Sequence, residues 1–168
     1  MPMSPQTRRL LAAGAGAVML AALPLTAAHA AKSLVTFSVT AQVSTTCFIT
    51  TTNLNFGAYA QTQLDATTTL SATCSNGTPY DVGLDAGTSP GATVSTRKMT
   101  GLGSDLLNYS LFQDSARSLN WGNTVGTDTV HGVGNGAAQT LTVYGRIPAA
   151  QFVAGGEYSD TITVSLNF

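Results

Sequence analysis

The sequence predicts an all-β protein, an antiparallel β-sandwich, on three observations. Short runs of alternating apolar and polar residues recur between Gly, Asn and Pro turn signals. Beyond Ala31 nothing carries the period of a long helix. Cys47 and Cys74 supply one widely spaced cysteine pair in a chain that begins with an export signal. About 138 residues follow that signal, a single-domain length for many short strands.

Residues 1–30 read as a signal peptide. Arg8 and Arg9 form a basic start, Leu10 to Leu25 is continuously apolar or small, and Ala28-His29-Ala30 fits a small-x-small cleavage site. A retained anchor is disfavoured by Pro24, by the many Ala and Gly, and by a length below the ~20 residues a bilayer needs. No later segment predicts stable membrane insertion of the mature chain. All eight acidic residues and five of the seven basic ones lie beyond Ala30, which gives the mature chain a net charge of −3. Arg97-Lys98 is its only adjacent basic pair, so nucleic acid is a poor partner. An even cysteine count, export and the absence of CxxC favour a structural disulfide between Cys47 and Cys74 over a metal or redox site.

The elements follow in order. Leu34 to Val43 alternates cleanly and predicts a first strand, joined by the polar Ser44-Thr45-Thr46 link to the rest. Asn53 to Gly57 and Thr67 to Cys74 come next, the latter ending at an Asn76-Gly77 turn. Tyr80, Val82 and Leu84 share one face of a strand that starts at Pro79. Ser95 to Met99 predicts an edge strand after the Gly87 to Gly91 loop. Leu107, Tyr109 and Leu111 mark another strand, and Leu141, Val143 and Ile147 a further one. Asn120 to Ala138, rich in Gly, Asn and Thr, predicts a long hairpin connection. Gly155-Gly156 before Tyr158 fits either a tyrosine corner, whose hydroxyl ties down the preceding connection, or an ordinary half-buried strand Tyr. Tyr158 to Phe168 is the closing alternating run. A last strand without a successor leaves a sheet edge open to pairing with another chain.

The sequence offers little chemistry. His131 is the one His beyond the signal, and a lone His makes neither a multi-histidine zinc site nor a triad. Asp81 with Asp85, and Glu157 with Asp160, read as groups that solvate turns and strand edges. Gly132 to Gly136 lacks the spacing of a phosphate loop and reads as a plain loop. Tyr80, Tyr109 and Tyr144 fall in alternating runs and read as core, whereas Trp121 reads as a loop-exposed contact residue. Asp114 to Arg117 predicts a polar turn with Arg117 paired locally. The protein is expected to be no enzyme and to hold no cofactor or metal.

The ordered residues Cys47, Leu54-Asn-Phe-Gly57, Thr73-Cys74-Ser-Asn-Gly77, Leu107-Asn-Tyr109, Asp114-Ser-Ala-Arg117, Tyr144-Gly-Arg-Ile147-Pro148 and Gly156 to Val164 resemble the spore coat protein U domain family. That family includes subunits of archaic chaperone–usher pili. The resemblance spans nearly the whole mature chain. It implies an incomplete, pilin-type immunoglobulin-like β-sandwich, held by a disulfide and completed by a donor strand from a neighbouring subunit. Carried onto this sequence, residues 31–43 are the donor, with Val35, Phe37, Val39, Ala41 and Val43 pointing into the groove. Residues 44–168 are the pilin-like body, and Ile162, Val164, Leu166 and Phe168 line the acceptor groove.

The expected function is therefore a structural subunit of a secreted cell-surface fimbria, polymerising by donor-strand complementation and supporting adhesion and biofilm formation. The expected partners are neighbouring pilus subunits, a periplasmic chaperone and an outer-membrane usher, met on export through the periplasm. The alternative is a secreted surface- or carbohydrate-binding sandwich that completes its own sheet with residues 34–43.

Overall fold

The computed structural model describes residues 30–168, so the expected signal segment lies outside the described residues apart from Ala30. The chain divides after Ala41 into two units. In the first, residues 30–41 carry no strand or helix, and Leu34, Val35, Phe37 and Val39 are exposed. The second, Gln42–Phe168, is an immunoglobulin-like sandwich of eight strands: β1 (Cys47–Thr51), β2 (Leu64–Cys74), β3 (Pro79–Leu84), β4 (Arg97–Thr100), β5 (Leu106–Phe112), β6 (Val130–Val133), β7 (Ala138–Ile147) and β8 (Val164–Asn167). One sheet has the order β1-β2-β7-β5-β4 and the other β6-β3-β8, with every pairing antiparallel. No helix among the described residues is long and apolar enough to cross a membrane.

Alternation places the core. Tyr80, Val82 and Leu84 on β3 and Leu107, Tyr109 and Leu111 on β5 are buried, as are Val143 and Ile147 on β7. Leu141 is half-buried against them. The edge strand expected at Ser95 to Met99 is β4, one border of the larger sheet.

Several expectations need correction. Asn53 to Gly57 is no strand: β1 ends at Thr51, and the chain beyond it lays Leu54 and Phe56, half-buried, over Gly145 of β7. A Cβ on Gly145 would lie 2.7 Å from both Leu54 Cδ2 and Phe56 Cζ, so only glycine admits this approach. Trp121 is not an exposed contact residue; it is 1% exposed, and its indole Nε1–H donates to the Val82 carbonyl at 2.8 Å. The Asn120 to Ala138 connection contains a strand, β6, so Gly132 pairs with Tyr80 instead of lying in a loop. Arg117 keeps a local hydrogen bond, donating to the Ser115 carbonyl at 3.1 Å, but its ion pair reaches Asp65 of β2 at 3.5 Å and its guanidinium lies over the Tyr144 ring. The neighbouring Arg146 holds the Asp65 carboxyl below its usual range through a hydrogen bond that outweighs desolvation.

Cys47 and Cys74 form the disulfide, at the paired ends of β1 and β2. They stand 27 positions apart. Closing that loop in the unfolded chain contributes about 3.6 kcal/mol in the chain-entropy account. Cys47→Ser with Cys74→Ser is expected to lower the unfolding free energy by that order, read from the urea midpoint at unchanged slope. Two free thiols titrated in the exported native protein would refute the bridge.

Candidate functional site

The segment from Tyr158 to Leu166 builds the site. Thr100 and Ser159 exchange both backbone hydrogen bonds, at 2.9 and 3.1 Å, and the Asp85 N–H donates to the Thr163 carbonyl at 3.1 Å. Odd-numbered residues thus turn their backbone groups toward β4 and β3. In a strand the alternate residues point the other way, so Asp160, Ile162 and Val164 turn theirs to the opposite edge. The N–H and C=O of Asp160 and Ile162 have no hydrogen-bond partner among the described residues. Among the described residues β8 is accordingly an edge strand, paired only with β3. The same residues that open this edge direct their side chains inward: 158, 160, 162, 164 and 166 are all half-buried, while 159, 161 and 163 are exposed.

A groove of about 450 Å³ lies between this segment and residues 51–56. Ile162 and Val164 form one wall, Leu54 the other, and Leu70, Leu111 and Val143 the floor. It continues into a recess of about 990 Å³ that shares Leu54, Phe56, Met99 and Tyr158 and reaches Gly156. Of the four residues expected to line the groove, Ile162 and Val164 do so. Leu166, like Ile162 and Val164, packs against the core, and Phe168 is 62% exposed. The five donor-side residues Val35, Phe37, Val39, Ala41 and Val43 are exposed.

Two side chains hold the groove wall in place. The Tyr158 hydroxyl donates to the Ala154 carbonyl at 2.8 Å, four residues upstream, which is the tyrosine-corner arrangement. Asp160 accepts from Tyr109 Oη at 2.7 Å on one carboxylate oxygen. On the other it accepts from Thr88 N, Thr88 Oγ1 and Thr161 N. Four donors satisfy this carboxylate without a cation. Burial, reinforced by Asp160, pushes the Tyr109 hydroxyl well above the usual tyrosine range, so it stays a donor. Asp85 is pushed up by burial, but hydrogen bonds from Thr163 and Gly87 outweigh that and hold it below the usual range.

Arg97 escaped the sequence reading. It is fully buried, and its guanidinium donates to the carbonyls of Asp85, Val94, Leu84 and Trp121 at 2.6 to 2.9 Å. Its parity with Met99 on β4 was the available signal, since both fall on the inward face. Elsewhere, His131 is largely exposed, with Nδ1 3.4 Å from Asp81 Oδ2. Among the described residues no cluster of His, Cys, Asp and Glu could hold a metal ion. The site offers an open backbone edge and an apolar trough, which suit strand addition.

The model of the Spore Coat Protein U domain matches residues 33–165. Protein U of Myxococcus xanthus is 33% identical over 128 residues, which cover 68% of this chain and 71% of that protein. A chain in the crystal structure of the CsuC-CsuE chaperone-tip adhesion subunit pre-assembly complex, from archaic chaperone-usher Csu pili of Acinetobacter baumannii, is 28% identical with a TM-score of 0.57. That match covers 75% of this chain and spans 40% of the solved one.

Proposed function

The chain belongs to the Spore Coat Protein U domain family, and we propose that it is a structural, non-enzymatic subunit of a secreted chaperone–usher fimbria. In this proposal residues 31–43 are donated to the groove of a neighbouring copy or related subunit, and residues 44–168 form the accepting body. The observation that carries it is the open edge at Asp160, Ile162 and Val164 above an apolar trough. The donor matches that edge in length and pattern. Val35 to Val43 and Tyr158 to Leu166 are nine residues each, about 30 Å of strand. Each presents five side chains to the same side.

Strand addition would pair the unpaired backbone groups of the edge and bury Val35, Phe37, Val39, Ala41 and Val43. Five apolar side chains supply on the order of 8–15 kcal/mol gross, an upper bound. In the periplasm a chaperone strand would occupy the same groove until an outer-membrane usher exchanges it for the next subunit. The assembled cell-surface fibre would serve adhesion and biofilm formation. The similar chain was crystallised in a chaperone–tip adhesion subunit pre-assembly complex, which supports this route.

Electrophoresis in detergent tests it. Surface fibres run unheated are expected to give a ladder of oligomers that collapses to monomer on boiling. Deleting residues 35–43 should leave a chain that still accepts a donor and ends the ladder. A self-completing module would instead lose its fold on that deletion. Monomers alone in the unheated sample would sink the fibre reading.

A further inference from the structure

We propose that the Gly156 end of the sandwich is a docking face for the Cys47 end of the next copy, through Leu102 and Phe152. This rests on the fibre reading and adds a second contact to the donated strand. The strand registers define the two ends. Leu64 pairs with Ile147 at one, where Gly156 and Tyr158 also lie; Cys47 pairs with Cys74, and Pro79 with Val133, at the other. β8 runs from the first end toward the second, since Leu84 faces Val164 and Asp81 faces Asn167.

Chain length then places the neighbour. Only Ser44, Thr45 and Thr46 separate Val43 from Cys47. Four peptide steps span at most about 14 Å. The donating molecule must therefore set its Cys47 end against whichever mouth of the groove Val43 leaves by. A donor parallel to β8 would bring two Cys47 ends together, an isologous contact that closes at two copies. An antiparallel donor leaves at the Gly156 mouth, so each copy gives from one end and receives at the other, and the chain propagates. Antiparallel pairing is also slightly the stronger per residue.

The face so selected carries two large apolar side chains in open solvent, Leu102 at 79% and Phe152 at 81% exposure. They sit on the two loops that rim the recess: a Cβ on Gly156 would lie 3.9 Å from Leu102 Cδ1, and Gln151 and Val153 line the recess on either side of Phe152. The opposite end presents Val133 and Phe168, both more than half exposed. Single exposed apolar residues are ordinary. Here a three-residue link brings two pairs of them face to face, where mutual burial would limit bending between subunits.

The test uses assembled fibres of the full chain carrying Leu102→Asp with Phe152→Asp, and separately Val133→Asp. Unheated detergent gels read the donated strand, and electron micrographs read the persistence length. The expected result is an unchanged ladder with a shortened persistence length in both variants. An intact ladder with unchanged persistence length overturns the docking face. So does loss of the subunit's complex with its chaperone, which would make these residues a chaperone contact. A parental chain without any ladder removes the fibre reading, and the docking face falls with it.

Discussion

Arg97→Met is expected to lower the unfolding free energy by about 3–5 kcal/mol, because several buried acceptors lose their donors together. Arg97 is 0% exposed and makes no ion pair with a carboxylate among the described residues. Its charge is met by four carbonyls, those of Leu84 and Asp85 at the end of β3, Val94 before β4, and Trp121. Burial pulls its pKa down, while Tyr109 and Asp85 offset part of that. A guanidinium stays protonated regardless. Replacing a buried ion pair with apolar residues is often neutral, since both charges leave. That compensation is closed here, because backbone carbonyls cannot be substituted away. Methionine fills the volume and leaves the oxygens without donors. Lysine keeps a charge but cannot present the planar fork, so Arg97→Lys should recover only part of the loss. Domains of this size are stable by about 5–15 kcal/mol, so the Met variant should melt far below the parent. Urea unfolding reads the difference; a Met variant within about 0.5 kcal/mol of the parent would show that water or relaxation satisfies the carbonyls.

Arg97 also marks where sequence reading stops. Alternation made β3, β5 and β7 legible because one face of each is apolar and meets the core at every second residue. Arg97 has the inward parity of Met99, yet three of its four carbonyl partners, Leu84, Asp85 and Trp121, lie on two segments distant in sequence, which no local pattern encodes. Trp121 fails to stand out for the same reason: it lies in a polar connection, yet joins the core and finds its indole acceptor on Val82, thirty-nine residues away. Leu54 and Phe56 do alternate, but they rest on Gly145 of a strand about ninety residues further along the chain and join no ladder. β6 is four residues long and contains His131 and Gly132, too short and too mixed to announce a strand. The closing run was legible as an in-out pattern from Tyr158 onward, while the regular ladder starts only at Val164. The cause is local: the Asp85 side chain accepts the Thr163 N–H at 2.9 Å, in place of a main-chain carbonyl.

Phe37→Asp with Val39→Asp is expected to abolish the detergent-resistant ladder while leaving the melt of the body unchanged. Both residues are exposed and lie outside the unit that contains the sandwich, so the substitutions touch no core contact of that unit. In the proposed fibre the same positions face Leu70, Leu111 and Val143 on the groove floor. Each lost apolar side chain forfeits about 1.5–3 kcal/mol of burial. Each carboxylate must then enter an apolar trough or take up a proton, a further cost of several kcal/mol. The carboxylate already at the wall, Asp160, has its four hydrogen bonds in place and repels a second negative charge. Together these exceed the roughly 8 kcal/mol of a micromolar complex, so capture by a neighbour should be lost outright. Register supplies the control. Ser38→Asp with Thr40→Asp adds the same charge on the outward face and should leave the ladder intact. A ladder that survives Phe37→Asp with Val39→Asp would exclude residues 31–43 as the donor; equal loss from the outward pair would mean that charge alone, and not the apolar stripe, decides assembly.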